Sequence, residues 1–183
     1  MDELTGVPWP PAPLKTERLL LRRTGAEDRD GFIALRCSQD VYQYLGGALP
    51  RDRVELEAPE VPGDRAGVFA VERNGTFIGM VSVERRDPMR PGALNAEGAV
   101  AELSYLFLPE YWGRGYATEA AAAVLSWVDR VLPREPIVLC TQTANTASVQ
   151  LAGRLGFQEI ERFVEFDAEQ WFGVRPPRHQ SAG

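Results

Sequence analysis

The clearest chemistry in the chain lies in Leu106-Phe107-Leu108-Pro109-Glu110-Tyr111-Trp112-Gly113-Arg114-Gly115-Tyr116-Ala117-Thr118-Glu119-Ala120. An apolar run stops at a proline, two glycines follow one residue apart, and an alanine-rich helix begins at once. A strand that passes through a glycine loop into a helix N-terminus makes an anion cradle. Its loop and first-turn N–H groups point the same way, and the helix dipole adds about half a positive charge. Glycine is required because a side chain would block the close approach of a phosphate. The segment therefore predicts a site for a phosphate-bearing ligand.

The elements that must hold this loop can be read on both sides of it. Residues 1–13 end in Val7-Pro8-Trp9-Pro10-Pro11-Ala12-Pro13 and form an extended arm that cannot be helical. Leu19–Arg23 reads as a first strand, and Thr24 with Glu27 as a capping box opening a helix that carries Phe32, Ile33, Leu35 and Arg36. A short helix or turn covers 40–45, and residues 46–66 read as a loop with one helical turn near Arg53–Glu57. Val68–Arg73, Asn74-Gly75 and Thr76–Glu84 form a hairpin, since Asn-Gly suits the two positive-φ positions of a type I′ turn. A strand over Val100–Leu108 feeds the glycine loop, and apolar positions 117, 120, 121, 124, 125, 128 and 131 then recur at helical spacing. Pro133 and Pro136 end that helix before a buried strand, Ile137–Thr143. A helix over Asn145–Leu155, closed by Gly156, precedes two last strands at 157–166 and 170–174.

This order predicts a single α/β domain over residues 14–175, followed by a polar tail at 176–183. Its mixed, mostly antiparallel sheet holds a central right-handed β-α-β unit, with helices on both faces.

Composition excludes several classes of function. At 183 residues, 44% hydrophobic and 25% charged, the chain reads as a soluble globular protein. A net charge of −6 without a basic patch argues against nucleic-acid binding. No apolar run has the length of a membrane span or signal core, and Cys37 and Cys140 form neither a disulfide framework nor a metal-ligand spacing, so a reducing cytoplasm is expected. Cys140, in an apolar run, reads as a small core residue. The single histidine, His179, lies in the polar tail, which removes histidine triads and zinc sites; no metal is expected.

Three phosphate-binding schemes can be compared. A P-loop needs a lysine and a Ser/Thr after its last glycine, whereas Gly115 is followed by Tyr116-Ala117. A dinucleotide fingerprint needs a third glycine where Thr118 stands, and it should open the first β-α-β unit; it fits poorly. The third scheme is an acyl-coenzyme A cradle. Leu14-Lys15-Thr16-Glu17-Arg18-Leu19-Leu20-Leu21-Arg22, the strand and loop from Glu102 to Ala120, and Asn145-Thr146-Ala147-Ser148 with Arg154-Leu155-Gly156-Phe157 occur in the order found in one family. Together they resemble the GNAT acetyltransferase superfamily, in particular its RimJ/RimL-like branch, over roughly residues 14–175.

The resemblance implies the acyl-CoA N-acyltransferase fold, with acetyl-CoA as acyl donor and a primary amine as acceptor. That amine is a protein N-terminus or a small molecule, attacking directly in a ternary complex. In this family the strand at 100–108 carries a bulge and splays from the strand at 137–143, so backbone groups of Leu106, Phe107 and Leu108 would line a slot for pantetheine. Gly113, Arg114, Gly115, Tyr116, Ala117 and Thr118 would receive the pyrophosphate. Glu110 stands where the family often has Arg or Gln, a change that leaves the backbone cradle untouched. Asn145 would bind a pantetheine amide, although Asn is equally apt as a helix N-cap. The tyrosine that many members use as general acid is replaced by Ala152, which leaves Ser148 as the acid. Glu102, a carboxylate in an apolar strand, is the expected base, with Glu165 as runner-up, although Glu165 also reads as part of a solvated face.

Glu119 is assigned to the helix dipole. Trp112, Tyr105, Trp171 and Phe172 read as core before acceptor pocket, and Arg154 as a surface residue before a ribose-phosphate ligand. A homodimer is compatible with the resemblance alone. The rival readings are a non-catalytic acyl-CoA sensor on the same fold and a nucleotide-binding regulatory domain.

Overall fold

Among the described residues, eight strands form one sheet in the order β1-β2-β3-β4-β5-β6-β8-β7. They are β1 (Leu14–Lys15), β2 (Leu20–Arg23), β3 (Val68–Arg73), β4 (Thr76–Arg85), β5 (Ala101–Phe107), β6 (Ile137–Gln142), β7 (Gln158–Glu165) and β8 (Ala168–Arg175). The helices are α1 (Arg29–Cys37), α2 (Gln39–Tyr42), α3 (Arg51–Glu57), α4 (Tyr116–Val131) and α5 (Thr146–Arg154). The computed structural model describes Leu4, residues 6–92, Leu94 and residues 100–177. His179, Gly98 and the outermost parts of the arm and tail lie outside the described residues.

All strand pairs are antiparallel except β5 with β6, which run parallel as the β-α-β unit requires. The hairpin forms where Asn74-Gly75 stands, both residues at positive φ (51° and 79°). Alternation along each strand separates two faces. On β3, Phe69 and Val71 join the core under α4, while Val68 and Ala70 turn to the face covered by α1–α3. Burial of Ala120, Val124, Leu125 and Val128 anchors α4, each larger side chain contributing about 1.5–3 kcal/mol. Trp9 of the arm completes an edge-to-face cluster with Phe69 and Trp127, ring centroids 5.0 and 5.9 Å away. No helix among the described residues is long and apolar enough to cross a membrane.

Several expectations change in detail. The Thr24–Glu27 capping box is not formed: the Thr24 hydroxyl has no hydrogen-bond partner among the described residues, and Glu27 is exposed beside Arg22. The cap lies one residue later, where the Asp28 carboxylate accepts from the Gly25 N–H at 2.8 Å. Thr24 and Asp28 both offer an acceptor suited to a cap, and Asp28 prevails because Arg22 grips it through both nitrogens of its fork (2.8 and 3.0 Å). The turn near 53–57 is a helix from Arg51, and β1 is a two-residue strand that composition alone does not reveal. The ladder of β5 with β4 runs without a register shift, so the bulge implied for β5 is absent there. The irregularities lie in β3–β4 and β7–β8 instead.

Candidate functional site

β5 and β6 pair only at Ala101↔Ile137 and Glu102↔Val138, and then part. Between them opens a cavity of about 670 Å³, within the usual range for small-molecule sites. One wall is Leu103 to Phe107 and the other Leu139 to Thr141; α5 closes one side, and the glycine loop forms the far end.

The backbone that faces this cleft follows from the ladder. Successive residues of an antiparallel strand direct their N–H and C=O to opposite sides. The Leu108 N–H goes to Ile78 O (3.0 Å) and Val100 O accepts from the Arg86 N–H (2.8 Å), both on the β4 side. By alternation, Leu103, Tyr105 and Phe107 offer their backbone groups to the cleft. Of the three residues expected to line the slot, Phe107 therefore presents backbone to it, Leu106 lines it without doing so, and Leu108 has its N–H committed to β4.

At the end of the cleft the chain makes a single 3-10 turn over Pro109–Tyr111 and enters α4 through Gly113 (φ 69°) and Gly115 (φ 79°). The first closed bond of α4 runs from the Glu119 N–H to Gly115 O at 3.0 Å. The N–H groups of Tyr116, Ala117 and Thr118 precede it and have no helical carbonyl to reach. A side chain at Gly113 would project into open space, whereas one at Gly115 would meet the Arg18 guanidinium at 3.4 Å. Trp112, expected in the core, is 44% exposed, and its indole N–H donates to Phe107 O at 2.7 Å. It thereby ties the loop to the last residue of β5.

Glu119 does more than face the helix dipole. It accepts from the Thr16 hydroxyl and from the Arg18 N–H (3.0 Å) and Nε (2.7 Å), while Arg18 Nη1 donates to Arg114 O at 3.0 Å. Burial alone would raise the Glu119 carboxyl, but these hydrogen bonds outweigh it and hold the group below the usual carboxylate range.

On α5, Asn145 is the N-cap, its Oδ1 accepting from the Ser148 N–H at 3.2 Å, and both residues line the cleft. Arg154 also lines it and is exposed. Tyr105 reaches the same side, where burial pushes its phenol above the ordinary tyrosine range and the neighbouring Ser148 side chain partly opposes this. The Tyr105 hydroxyl makes no hydrogen bond of ordinary geometry among the described residues.

Glu102 occupies the opposite face of β5 and does not line the cleft; Ser104, next on that face, does. Glu102 is 4% exposed, and its Oε1 accepts from Arg86 Nη1 at 2.8 Å. Its Oε2 makes no hydrogen bond, with Arg90 Nη1 standing 4.0 Å away. Glu165 is not on a solvated face: Arg90 grips both of its oxygens (3.0 and 2.7 Å) and holds its carboxyl below the usual range. Cys140 lines the cleft rather than the core, and burial pushes its thiol up to about 11, so it is a poor nucleophile at neutral pH. Trp171 and Phe172 are buried, as expected of core residues. Sequence reasoning did not find Arg86, the partner of Glu102. An arginine in a run that continues an apolar strand was the available signal.

A sheet parted at its middle, with a helix-capped glycine loop at the end of the gap, is the architecture of an N-acyltransferase. The family described as the acetyltransferase (GNAT) domain matches residues 18–158. An uncharacterized N-acetyltransferase of Bacillus subtilis (strain 168), YoaA, is 29% identical over 155 residues, covering 80% of this chain and 82% of that protein. Among solved structures, a GNAT-family acetyltransferase from Bacillus anthracis superposes with a TM-score of 0.71 at 21% identity, covering 90% of this chain and 98% of that one. A spermidine N-acetyltransferase from Vibrio cholerae, solved with CoA and spermine, superposes at 0.67 and 20% identity, covering 88% and 96%. The chain belongs to the GNAT acetyltransferase family.

Proposed function

We propose that this protein transfers an acetyl group from acetyl-CoA to a primary amine by direct attack in a ternary complex. The observation that carries the reading is the continuity of the β5–β6 cleft with the Gly113–Thr118 loop, a slot for an acylated arm ending in a cradle for its diphosphate. Leu103, Tyr105 and Phe107 supply backbone partners to the pantetheine and an N–H to the thioester carbonyl, where negative charge develops. Asn145 offers a side-chain amide to the same arm while capping α5. Ser148 is the general acid toward the departing thiolate. The unreactive thiol of Cys140 favours direct attack over an acyl-cysteine route.

Of the two carboxylates, Glu102 is the base, because its Oε2 is free of hydrogen bonds whereas both oxygens of Glu165 are held by Arg90. The proton passes from the amine to Glu102 through water, past Ser104. The acceptor is a cationic amine entering from the α1–α2 side, where Asp40 and Tyr44 line the mouth. Net charge −6 and the polyamine in the Vibrio cholerae structure support a small polyamine. The motifs at 14–22 and 145–157, with their RimJ/RimL-like pattern, support a peptide N-terminus.

Calorimetric titration with acetyl-CoA tests the donor, and no binding at millimolar ligand rejects it. Thiol release with spermidine and with short peptides tests the acceptor. Ala152, where many members carry a tyrosine, favours the alternative of a non-catalytic acyl-CoA sensor, which would bind the ligand and release no thiol with any amine.

A further inference from the structure

Tyr105 buries a hydroxyl that finds no hydrogen-bond partner among the described residues, in a cleft otherwise well supplied with polar groups. Buried phenols are normally paired, and phenylalanine would fill the same space without burying an unpaired O–H. The ring packs against the core beneath α4, and the hydroxyl end lies beside Ser148 of α5, close enough for the serine to favour the ionised phenol. One helical turn beyond Ser148, Ala152 is fully buried and offers no proton. The only phenol on this side of the cleft among the described residues of β5 and α5 thus comes from the strand.

We propose that Tyr105 positions and recharges Ser148, its phenolic O–H donating to Ser148 Oγ while the serine hydroxyl gives its proton to the departing thiolate. This rests on the acetyltransferase reading and deepens it. The amine nitrogen bonds to the thioester carbon, the C–S bond breaks, and the electron pair stays on sulfur. Sulfur takes the Ser148 proton, Ser148 takes the Tyr105 proton, and the phenolate is reprotonated from solvent, to which Glu102 gives up the proton taken from the amine. One proton leaves nitrogen and one arrives at sulfur, so the exchange balances. Burial keeps the phenol protonated at neutral pH, ready to supply the relay.

Tyr105→Phe removes the hydroxyl and keeps the wall. With acetyl-CoA and spermidine or a short peptide as probes, kcat falls about 10- to 100-fold, in line with proton-transfer catalysis, while KM for acetyl-CoA stays within about twofold. Adding Ser148→Ala to that variant costs little more, because both residues serve one path. A near-ultraviolet difference titration between wild type and Tyr105→Phe isolates this phenol and needs no acceptor. In a Ser148→Ala background its ionisation moves to higher pH. Wild-type kcat in Tyr105→Phe, fully additive losses, or a titration unmoved by Ser148→Ala would each overturn the relay alone. A wild-type chain that transfers to no amine overturns the acetyltransferase reading and the relay with it.

Discussion

Arg18 and Glu119, 101 residues apart in sequence, close on each other at 2.6 Å and join the start of the domain to the first turn of α4. Arg18 also donates to Arg114 O inside the glycine loop and stacks over the Tyr116 ring, its guanidinium carbon 4.6 Å from the centroid. The opening segment of the chain is therefore a brace for the loop, which explains why two distant motifs occur together.

Replacing Arg18 with Ala should loosen the loop without touching the reacting atoms. The affinity for acetyl-CoA falls about three- to tenfold, and kcat at saturation stays within about threefold, since a half-exposed ion pair contributes at most about 1 kcal/mol. Calorimetry and steady-state kinetics separate the two; an unchanged Kd rejects the brace.

Stability should depend on acid through Glu119 and Glu165. Both carboxyls titrate lower folded than unfolded, so their contribution is fully present above the unfolded value of about 4.3 and is lost as pH falls through the folded values. Urea midpoints taken down the acid limb check this: Glu119→Gln lowers the neutral-pH midpoint and flattens the acid fall.

Gly115→Ala places a side chain at φ 79°, against the Arg18 guanidinium. A loss of about 1–2 kcal/mol follows from the left-handed backbone, together with weaker acetyl-CoA binding as the strained loop shifts its N–H groups. Thermal denaturation and calorimetry on the same sample give both values.

Glu102→Gln keeps the shape and removes the proposed base. Turnover drops at least about tenfold and its pH profile changes, while Arg86 keeps a neutral acceptor at a stability cost of about 1–3 kcal/mol. Glu165→Gln leaves Arg90 a single neutral acceptor and keeps kcat within about threefold. Equal rates for Glu102→Gln and wild type reject Glu102; a larger loss in Glu165→Gln moves the role there.

Much of this architecture was legible in the residues themselves. Asn74-Gly75 turned where two positive φ angles were needed, and Pro109, Gly113 and Gly115 marked the passage from strand to helix. Helical and strand periods located α4 and β3–β5 to within a residue or two. The cap of the first helical segment was misplaced because Thr24 and Asp28 both suit a cap, and only the fork of Arg22 selects between them. The orientation of β5 was likewise not legible: which of Leu106, Phe107 and Leu108 faces the cleft depends on the register with β4.

The sequence by itself determined the local backbone, the order of elements and the glycine loop that leads from strand to helix, because these rest on φ preferences, periodicity and missing side chains within a few residues. Only the tertiary structure decided the partners: Arg86 for Glu102, Arg90 for Glu165 and Arg18 for Glu119. Charges and hydroxyls act through distance. That distance was set by strand register and helix packing across tens of residues, which no local pattern encodes.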